Sequence, residues 1–428
     1  MEDSSNMTSI GEIEDECVYM PPAFLTFKMA FVGIVGLFVA LISIFHNLLL
    51  FYTFNTSKML RKRNLTYLMW ISGCDVFISI CYIAIMCVQV YTDYFESFQL
   101  YVLWHDYLRV AFTVSHITLS ASSFLLMAAT IERYLQSTAD NRTLKLFHLL
   151  ATHRGSVVIL CFVASIIFRG TVFFEIRVIT NPICTGFSSL GLAVTPMFGE
   201  LPDIVWRFAV RKIVTVFLPF AVLAYFNAAI VMNVRRTDRD QTVKALVLFI
   251  TVGTSPLGNY QRGEVTRLRS RLRAVTRMLV MVVTGYLFAN ILDVIIACWE
   301  AISMESLLAS PAFYTVMSDI SSFLPIAATA LRLPIYTIND RQIRVEVRRK
   351  FCNLVNKCGC NLCGDSSSQH KKLYDAQQME TERLWPKNPQ DPKLEIRQYG
   401  LQSLIMARAS LSSKDVYDIH RFRETYEL

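Results

Sequence analysis

Charge is scarce in this chain. Its 42 Lys and Arg and 34 Asp and Glu make up 18% of 428 residues, while 53% are hydrophobic. A soluble domain carries roughly 25% charged residues, so a water-soluble globular fold is excluded. A mean hydropathy of +0.39 points to a bilayer as the solvent. The seven histidines form no cluster with metal-ligand spacing, so neither metal nor cofactor is expected. No Walker loop, G-x-S-x-G turn or H-E-x-x-H helix occurs, which argues against an enzyme. The net charge of +8 comes with no folded nucleic-acid module, and is read as membrane topology and contact with anionic lipid. Halves related by internal repeats, the usual mark of a transporter or channel, are missing as well. The first residues are acidic where a secretory signal would be basic, so the first apolar segment is expected to direct insertion.

What is present in quantity is long apolar runs. A spanning helix needs ~20 mainly apolar residues, and runs of that kind fall at 29–54, 65–90, 108–131, 155–176, 209–234, 275–298 and 312–338. The expected fold is an all-α membrane protein, a seven-transmembrane helix bundle followed by a short amphipathic juxtamembrane helix. Spans 4 and 7 are the weakest, because they hold Arg169 and Arg332. Lys58, Arg61, Lys62 and Arg63, then Arg142, Lys145 and Arg154, the loop 235–274, and Arg341 to Lys350 all fall on one side, which the positive-inside rule makes cytoplasmic. Glu2, Glu12, Asp93, Glu96, Glu300 and Glu305 fall on the other. The expected location is the plasma membrane, with the N-terminus outside and the C-terminus inside.

The chain accordingly divides into an extracellular arm 1–28, the bundle 29–338, a juxtamembrane helix with a cysteine cluster 339–363, and a disordered cytoplasmic tail 364–428 holding serine clusters. Asn6 heads a glycosylation sequon. Of eleven cysteines, Cys17, Cys184 and Cys298 are disulfide candidates on the oxidising side, with the pairing left open. Cys352, Cys358, Cys360 and Cys363 come after a basic stretch and are candidates for palmitoylation, with a zinc site as the competing reading. In 339–355, Ile343, Val347, Phe351 and Leu354 recur at helical spacing with arginines between them, as in a helix lying on a membrane surface. The apolar piece 245–252 is too short to cross and reads as an interfacial patch or a poorly ordered insertion.

Several polar residues stand where the spans should be wholly apolar. Asn47 lies in span 1, Asp75 in span 2, Glu132-Arg133-Tyr134 at the end of span 3 and Pro219 in span 5. In that order and on those spans, they resemble the rhodopsin-like (class A) G-protein-coupled receptors across roughly 25–355. The pattern is similar to the invertebrate FMRFamide and sex-peptide-like neuropeptide receptors. Departures accompany the likeness. Leu108 stands where the family has the span 3 cysteine. Tyr286, Asn290 and Leu292 stand at the phenylalanine, tryptophan and proline of the span 6 switch. Arg332-Leu333-Pro334-Ile335-Tyr336 replaces the span 7 N-P-x-x-Y.

The resemblance implies a role for each. Asp75, with Ser122 opposite, belongs to the family's sodium pocket. Arg332 would fill that pocket by pairing with Asp75, the alternative being that its long side chain reaches to the interface. Arg133 would be held by Glu132 at rest and released to a heterotrimeric G protein, with Pro219, Tyr286 and Tyr336 as a packed relay. The family's amine-binding aspartate is replaced by Ser115, which disfavours a monoamine. Trp104, Asp106, Arg109 and His116 on span 3, Asp293, Trp299 and Glu300 on span 6, and Asp319 on span 7 mix acids with aromatics, and suit a cationic aromatic peptide. The expected function is reception of an extracellular peptide, with arrestin and membrane lipids as further partners and no nucleic acid. A chemosensory receptor for small molecules and a seven-span transporter are the rival readings.

Overall fold

The computed structural model describes residues 24–61, 65–138, 141–195, 205–251, 258–302 and 311–357. The chain divides into two units, Met1–Phe351 and Cys352–Leu428, and the first of them holds the helix bundle. Among the described residues, seven helices are long and apolar enough to cross a membrane: Leu25–Thr56, Thr66–Tyr94, Phe98–Gln136, Arg154–Glu175, Ile213–Arg236, Thr276–Trp299 and Pro311–Asn339, here called spans 1 to 7. The fold is all-α apart from one hairpin, and matches the seven runs expected from hydropathy. Asn6, Cys17, Cys358, Cys360 and Cys363 lie outside the described residues.

Hydrocarbon offers the backbone no hydrogen-bond partners, so a spanning chain must satisfy its amides internally, and these runs coil. Hydroxyls within them bond back to the carbonyl four residues earlier: Ser72 to Leu68 at 3.0 Å, Thr113 to Arg109 at 2.8 Å and Thr130 to Leu126 at 2.7 Å. The inward faces meet in one core of Leu50, Ile71, Leu125, Leu223, Met278, Val283 and Tyr336, all buried. Phe38, Ile159, Tyr225 and Phe288 face outward and are exposed, as side chains in contact with lipid would be.

The segment 235–274 departs from expectation. Its backbone is helical up to Thr251, continuing span 5 as one helix, Leu218–Thr251, and span 6 belongs to a helix that begins at Gly258. Of the two readings of 245–252, the poorly ordered insertion is therefore corrected as far as Thr251. A helix already nucleated in the membrane propagates at little cost through Arg, Gln, Lys, Ala and Leu, and no breaker appears before Gly253 and Pro256. Between spans 4 and 5 lies a hairpin that hydropathy did not indicate. Strand β1 (Ile176–Thr180) pairs antiparallel with β2 (Leu190–Val194), with Ile176 opposite Val194. It is fixed to span 3 by Tyr101, whose hydroxyl lies 2.7 Å from the carbonyl of Phe187 and 2.6 Å from that of Leu190.

Span 7 is broken. One helix ends at Ala330 and another begins at Arg332. Pro334 has no amide to offer the carbonyl of Ala330, four residues back. His46 Nδ1 of span 1 lies 2.8 Å from that oxygen, and Asn47 Nδ2 donates to the neighbouring carbonyl of Thr329 at 3.1 Å. His46 thus takes the place of the amide that Pro334 lacks, and Asn47 adds a bond to the carbonyl before it.

After span 7, Asp340 caps the helix Arg341–Lys357, accepting from the amides of Gln342 at 2.9 Å and Ile343 at 3.3 Å. Ile343 and Val347 are buried, one turn apart, while Arg341, Arg344 and Arg348 are exposed. Phe351 meets Phe45 of span 1 edge-on at 6.2 Å.

If the freed carbonyl is what His46 serves, His46→Phe should cost about 1–3 kcal/mol in unfolding free energy. The cost should shrink in a Pro334→Ala background, which restores an amide for Ala330. Denaturation of the four proteins in detergent would measure it, and an equal cost in both backgrounds would rule out the carbonyl as the reason.

Candidate functional site

Arg332 opens the second half of span 7, and the break places its guanidinium toward span 2. Its Nη1 lies 2.6 Å from Asp75 Oδ2, with both side chains almost wholly buried. Ser122 of span 3 donates to the other oxygen, Asp75 Oδ1, at 3.5 Å. Asp75, Ser122 and Arg332 are thus brought together as expected, joining spans 2, 3 and 7. Asn47 is not part of that contact. Its amide donates to the backbone oxygen of Ser43 at 2.9 Å and to Ser43 Oγ at 3.2 Å. Ser43 in turn meets Thr329 at 2.9 Å and Ser79 at 2.8 Å. The two networks join through Ser79, which bonds the backbone oxygen of Asp75 at 2.9 Å.

Beside the pair lies a cavity of about 170 Å³. Asp75, Ser122, Tyr286, Asn290, Thr329 and Arg332 form its polar margin, and the rest is apolar, mostly from spans 6 and 7, with Ile78 of span 2 and Leu119 of span 3. Tyr286 and Ser123 share a hydrogen bond at 2.8 Å, joining spans 6 and 3. Asn227 donates to Thr284 at 3.1 Å, joining spans 5 and 6. Asn290 is spent on the carbonyl of Tyr286, 2.8 Å away on its own helix. Tyr336 is fully buried and packs against Phe54 of span 1 at 6.1 Å. Tyr336 belongs to the central core and Tyr286 packs against that core; Pro219 is buried in span 5 but is not among its members.

At the basic end of span 3 the expected Glu132–Arg133 contact is absent, and the reading is corrected. Glu132 is buried and takes both oxygens to Arg154, in the first turn of span 4. Arg154 Nε donates to Oε2 at 2.9 Å and Nη2 to Oε1 at 2.7 Å. Consecutive helix residues point about 100° apart and do not face each other, whereas Arg154 meets the carboxylate as a two-pronged fork. Arg133 donates to Gln136 Oε1 at 2.7 Å. Tyr134 packs on Phe226 of span 5 at 4.8 Å. Arg133, Glu132, Tyr67, Met278 and Leu279 border a void of about 20 Å³, enough for one water.

The residues expected to receive a ligand are scattered in role. Trp104 is buried and donates to the carbonyl of Ile85 at 3.0 Å. Arg109 bonds the carbonyl of Phe173 and lies 3.9 Å above its ring. Both are interhelical ties. Asp319 meets Lys28 of span 1 at 3.5 Å. His116 stacks edge-on with Phe112 at 4.5 Å, and Ser115 is half-buried. Asp106, Asp293 and Trp299 are exposed, and the side chain of Glu300 is outside the described set. Residues that sequence reasoning passed over are Lys28, Arg154, Glu175 and Arg211, together with any role for Arg169. Arg211 holds Glu175 through Nη1 at 2.6 and 2.9 Å. The signal that could have found them is charge in or at the edge of an apolar run.

Among the cysteines, Cys184 is disulfide-bonded. Cys298 carries a free thiol, which removes it from the disulfide candidates. Cys352 is also disulfide-bonded.

The fold and the buried charges define a multi-span α-helical membrane protein. A scan against protein-family models finds no match to this chain, and a search of curated proteins finds none either.

If the central pair is a mutual neutralisation, Asp75→Asn and Arg332→Gln should each cost about 3–5 kcal/mol. The double variant should cost far less than their sum. A thermal-unfolding cycle in lipid nanodiscs tests this, and additive costs would mean that the two charges are stabilised independently.

Proposed function

We propose that the protein is a G-protein-coupled receptor that carries an extracellular signal, most simply a peptide, to heterotrimeric G proteins. The carrying observation is the cavity between the Asp75–Arg332 pair and span 6. A receptor must be an equilibrium of two arrangements that a ligand biases. Spans 1, 2 and 7 are tied by ions and by bonds to backbone carbonyls, while span 6 meets spans 3 and 5 through hydroxyl and amide contacts at Tyr286 and Thr284, and span 7 through a weak sulfur acceptor, Met281, that takes a bond from Asn339. Span 6 can therefore move against a fixed body, and the cavity gives it room.

On this reading the basic end faces the cytoplasm at the plasma membrane, the N-terminus is extracellular, and the helix Arg341–Lys357 lies on the inner leaflet with its exposed arginines toward anionic lipid. Movement of span 6 would uncover Arg133 for the G protein, with arrestin as a further partner. The Glu132–Arg154 fork holds spans 3 and 4 together through that motion.

Cells expressing the chain, screened with amidated and free-acid peptides, should show nucleotide exchange on a G protein. Arg133→Ala should reduce it by at least ~100-fold, the change carried by about 2.7 kcal/mol, with surface expression retained. Silence across all G-protein classes, or full signalling from Arg133→Ala, would defeat the proposal. Because a guanidinium occupies the cation's place beside Asp75, replacing sodium with an organic cation should leave the response unchanged, as a dose-response series would show.

A further inference from the structure

The cavity beside the central ion pair is bordered by unusually small residues. Gly285 and Ala289, one turn apart on span 6, lie on one side, and Ala327 and Ala328 of span 7 complete the border. A Cβ built on Gly285 would meet no heavy atom within 4 Å, and Ala289 is buried. Protein interiors are close-packed, and an unfilled cavity forfeits the contacts its walls could make.

The walls also say what kind of molecule would fit. Each polar side chain at the margin is already engaged: Asp75 with Arg332 at 2.6 Å and with Ser122 at 3.5 Å, Tyr286 with Ser123 at 2.8 Å, Asn290 with the carbonyl of Tyr286 at 2.8 Å, and Thr329 with the carbonyl of Ile326 at 2.7 Å. An occupant is therefore asked for apolar contact and for no hydrogen bond. The ion pair is neutral as a unit and selects no net charge. Phe288 and Leu331 line the cavity and are also exposed on the outside of the bundle, so the wall between spans 6 and 7 is a single layer of side chains facing lipid.

We propose that this cavity binds a neutral, single-ring aromatic molecule, admitted from the bilayer past Phe288 and Leu331. A dry apolar cavity of about 150 Å³ takes one benzene ring, and this one measures about 170 Å³. A ring answers two surfaces at once. Its edges meet the aliphatic wall of Ile78, Val282, Leu324 and Ile335, and its electron-rich face meets the guanidinium of Arg332. A saturated lipid chain of the same volume answers only the first. The site deepens the receptor reading in one respect and rests on it there: an occupant fills the room into which span 6 would move, and holds span 6 in place.

The test uses full-length, methyl-labelled protein in lipid nanodiscs, without G protein, titrated with fluorobenzene and with its saturated counterpart fluorocyclohexane. Ring protons of fluorobenzene should show saturable NOE contacts to the methyls of Ile78 and Val282, both buried, and the unfolding temperature should rise by about 2 °C or more. Fluorocyclohexane should bind ~10-fold more weakly or worse, the share of a desolvated contact between ring and cation. Gly285→Leu and Ala289→Leu, which fill the space from successive turns, should abolish the contacts. Gly285→Ala gains the same helix propensity without filling the cavity, and should keep them. Contacts confined to outward methyls such as Ile159 and Ile295 would mean a probe merely dissolved in lipid, and would overturn the proposal. Equal binding of fluorocyclohexane would make the cavity a seat for lipid chains and overturn it too, as would contacts that persist in a folded, filled variant. Because the methyl contacts are read in the parent protein, a variant that does not fold leaves the decision with them. Saturable binding in a protein that activates no G protein would sink the receptor reading and leave the site standing, whereas signalling without such binding would sink the site alone.

Discussion

The ion pair of Asp75 and Arg332 is the constraint on which the rest of the bundle depends. A guanidinium buried in the middle of a membrane protein is tolerated only against a counter-charge, and this one has a carboxylate 2.6 Å away. Its worth is less in net stability, since desolvation offsets most of the attraction, than in position. Only one rotation and one height of span 7 relative to span 2 bring the two groups together. That placement in turn requires the interruption of span 7 before Arg332. The interruption leaves the carbonyl of Ala330 to His46, and Asn47 adds a bond to that of Thr329. One electrostatic requirement therefore propagates through a backbone break into two interhelical bonds, and spans 1, 2 and 7 become a single body.

Against this body, span 6 is held more lightly. It meets span 3 through Ser123, span 5 through Asn227 and span 7 through Asn339, which donates to Met281 Sδ at 3.0 Å, and the space between it and the ion pair is a cavity where close packing would be expected. Packed cores tend to have discrete alternative arrangements, so a void beside a rigid body is where a second arrangement is least costly. The long helix Gly258–Ile302, of which span 6 is a part, would carry any tilt at the cavity to the basic end of the bundle.

Much of this could be read from residue order. Hydropathy alone located seven spans, because hydrocarbon leaves the backbone little choice but to coil. The contact of Arg332 with Asp75 was legible because an intramembrane charge demands a partner and the family resemblance sets Asp75 opposite it. Other features were hidden for definite reasons. Glu132 was assigned to its neighbour Arg133 when its partner is Arg154, 22 residues away, a pairing set by how spans 3 and 4 cross. The hairpin 176–194 has no strong alternation, and Tyr101, which fixes it, is remote in sequence. The apolar segment before Thr251 looked like a poorly ordered insertion because its helicity comes from the span preceding it.

Commitment of Glu132 to Arg154 bears on how Arg133 is restrained. A buried carboxylate satisfied by a two-pronged guanidinium has little left for a second cation, so the acid beside Arg133 cannot serve as its lock. Gln136, which accepts from Arg133, is on the same helix and moves with it, so that bond fixes a rotamer and says nothing about the neighbouring spans. The same small void is lined from across the bundle by Leu65, Tyr67 and Leu68 at the start of span 2 and by Met278 and Leu279 of span 6. Apolar packing by span 6 is thus one contribution to closure over Arg133 at this end. Packing of that kind is short-ranged, so a displacement of span 6 by the width of a side chain would remove it while leaving the Glu132–Arg154 fork, and with it the junction of spans 3 and 4, intact.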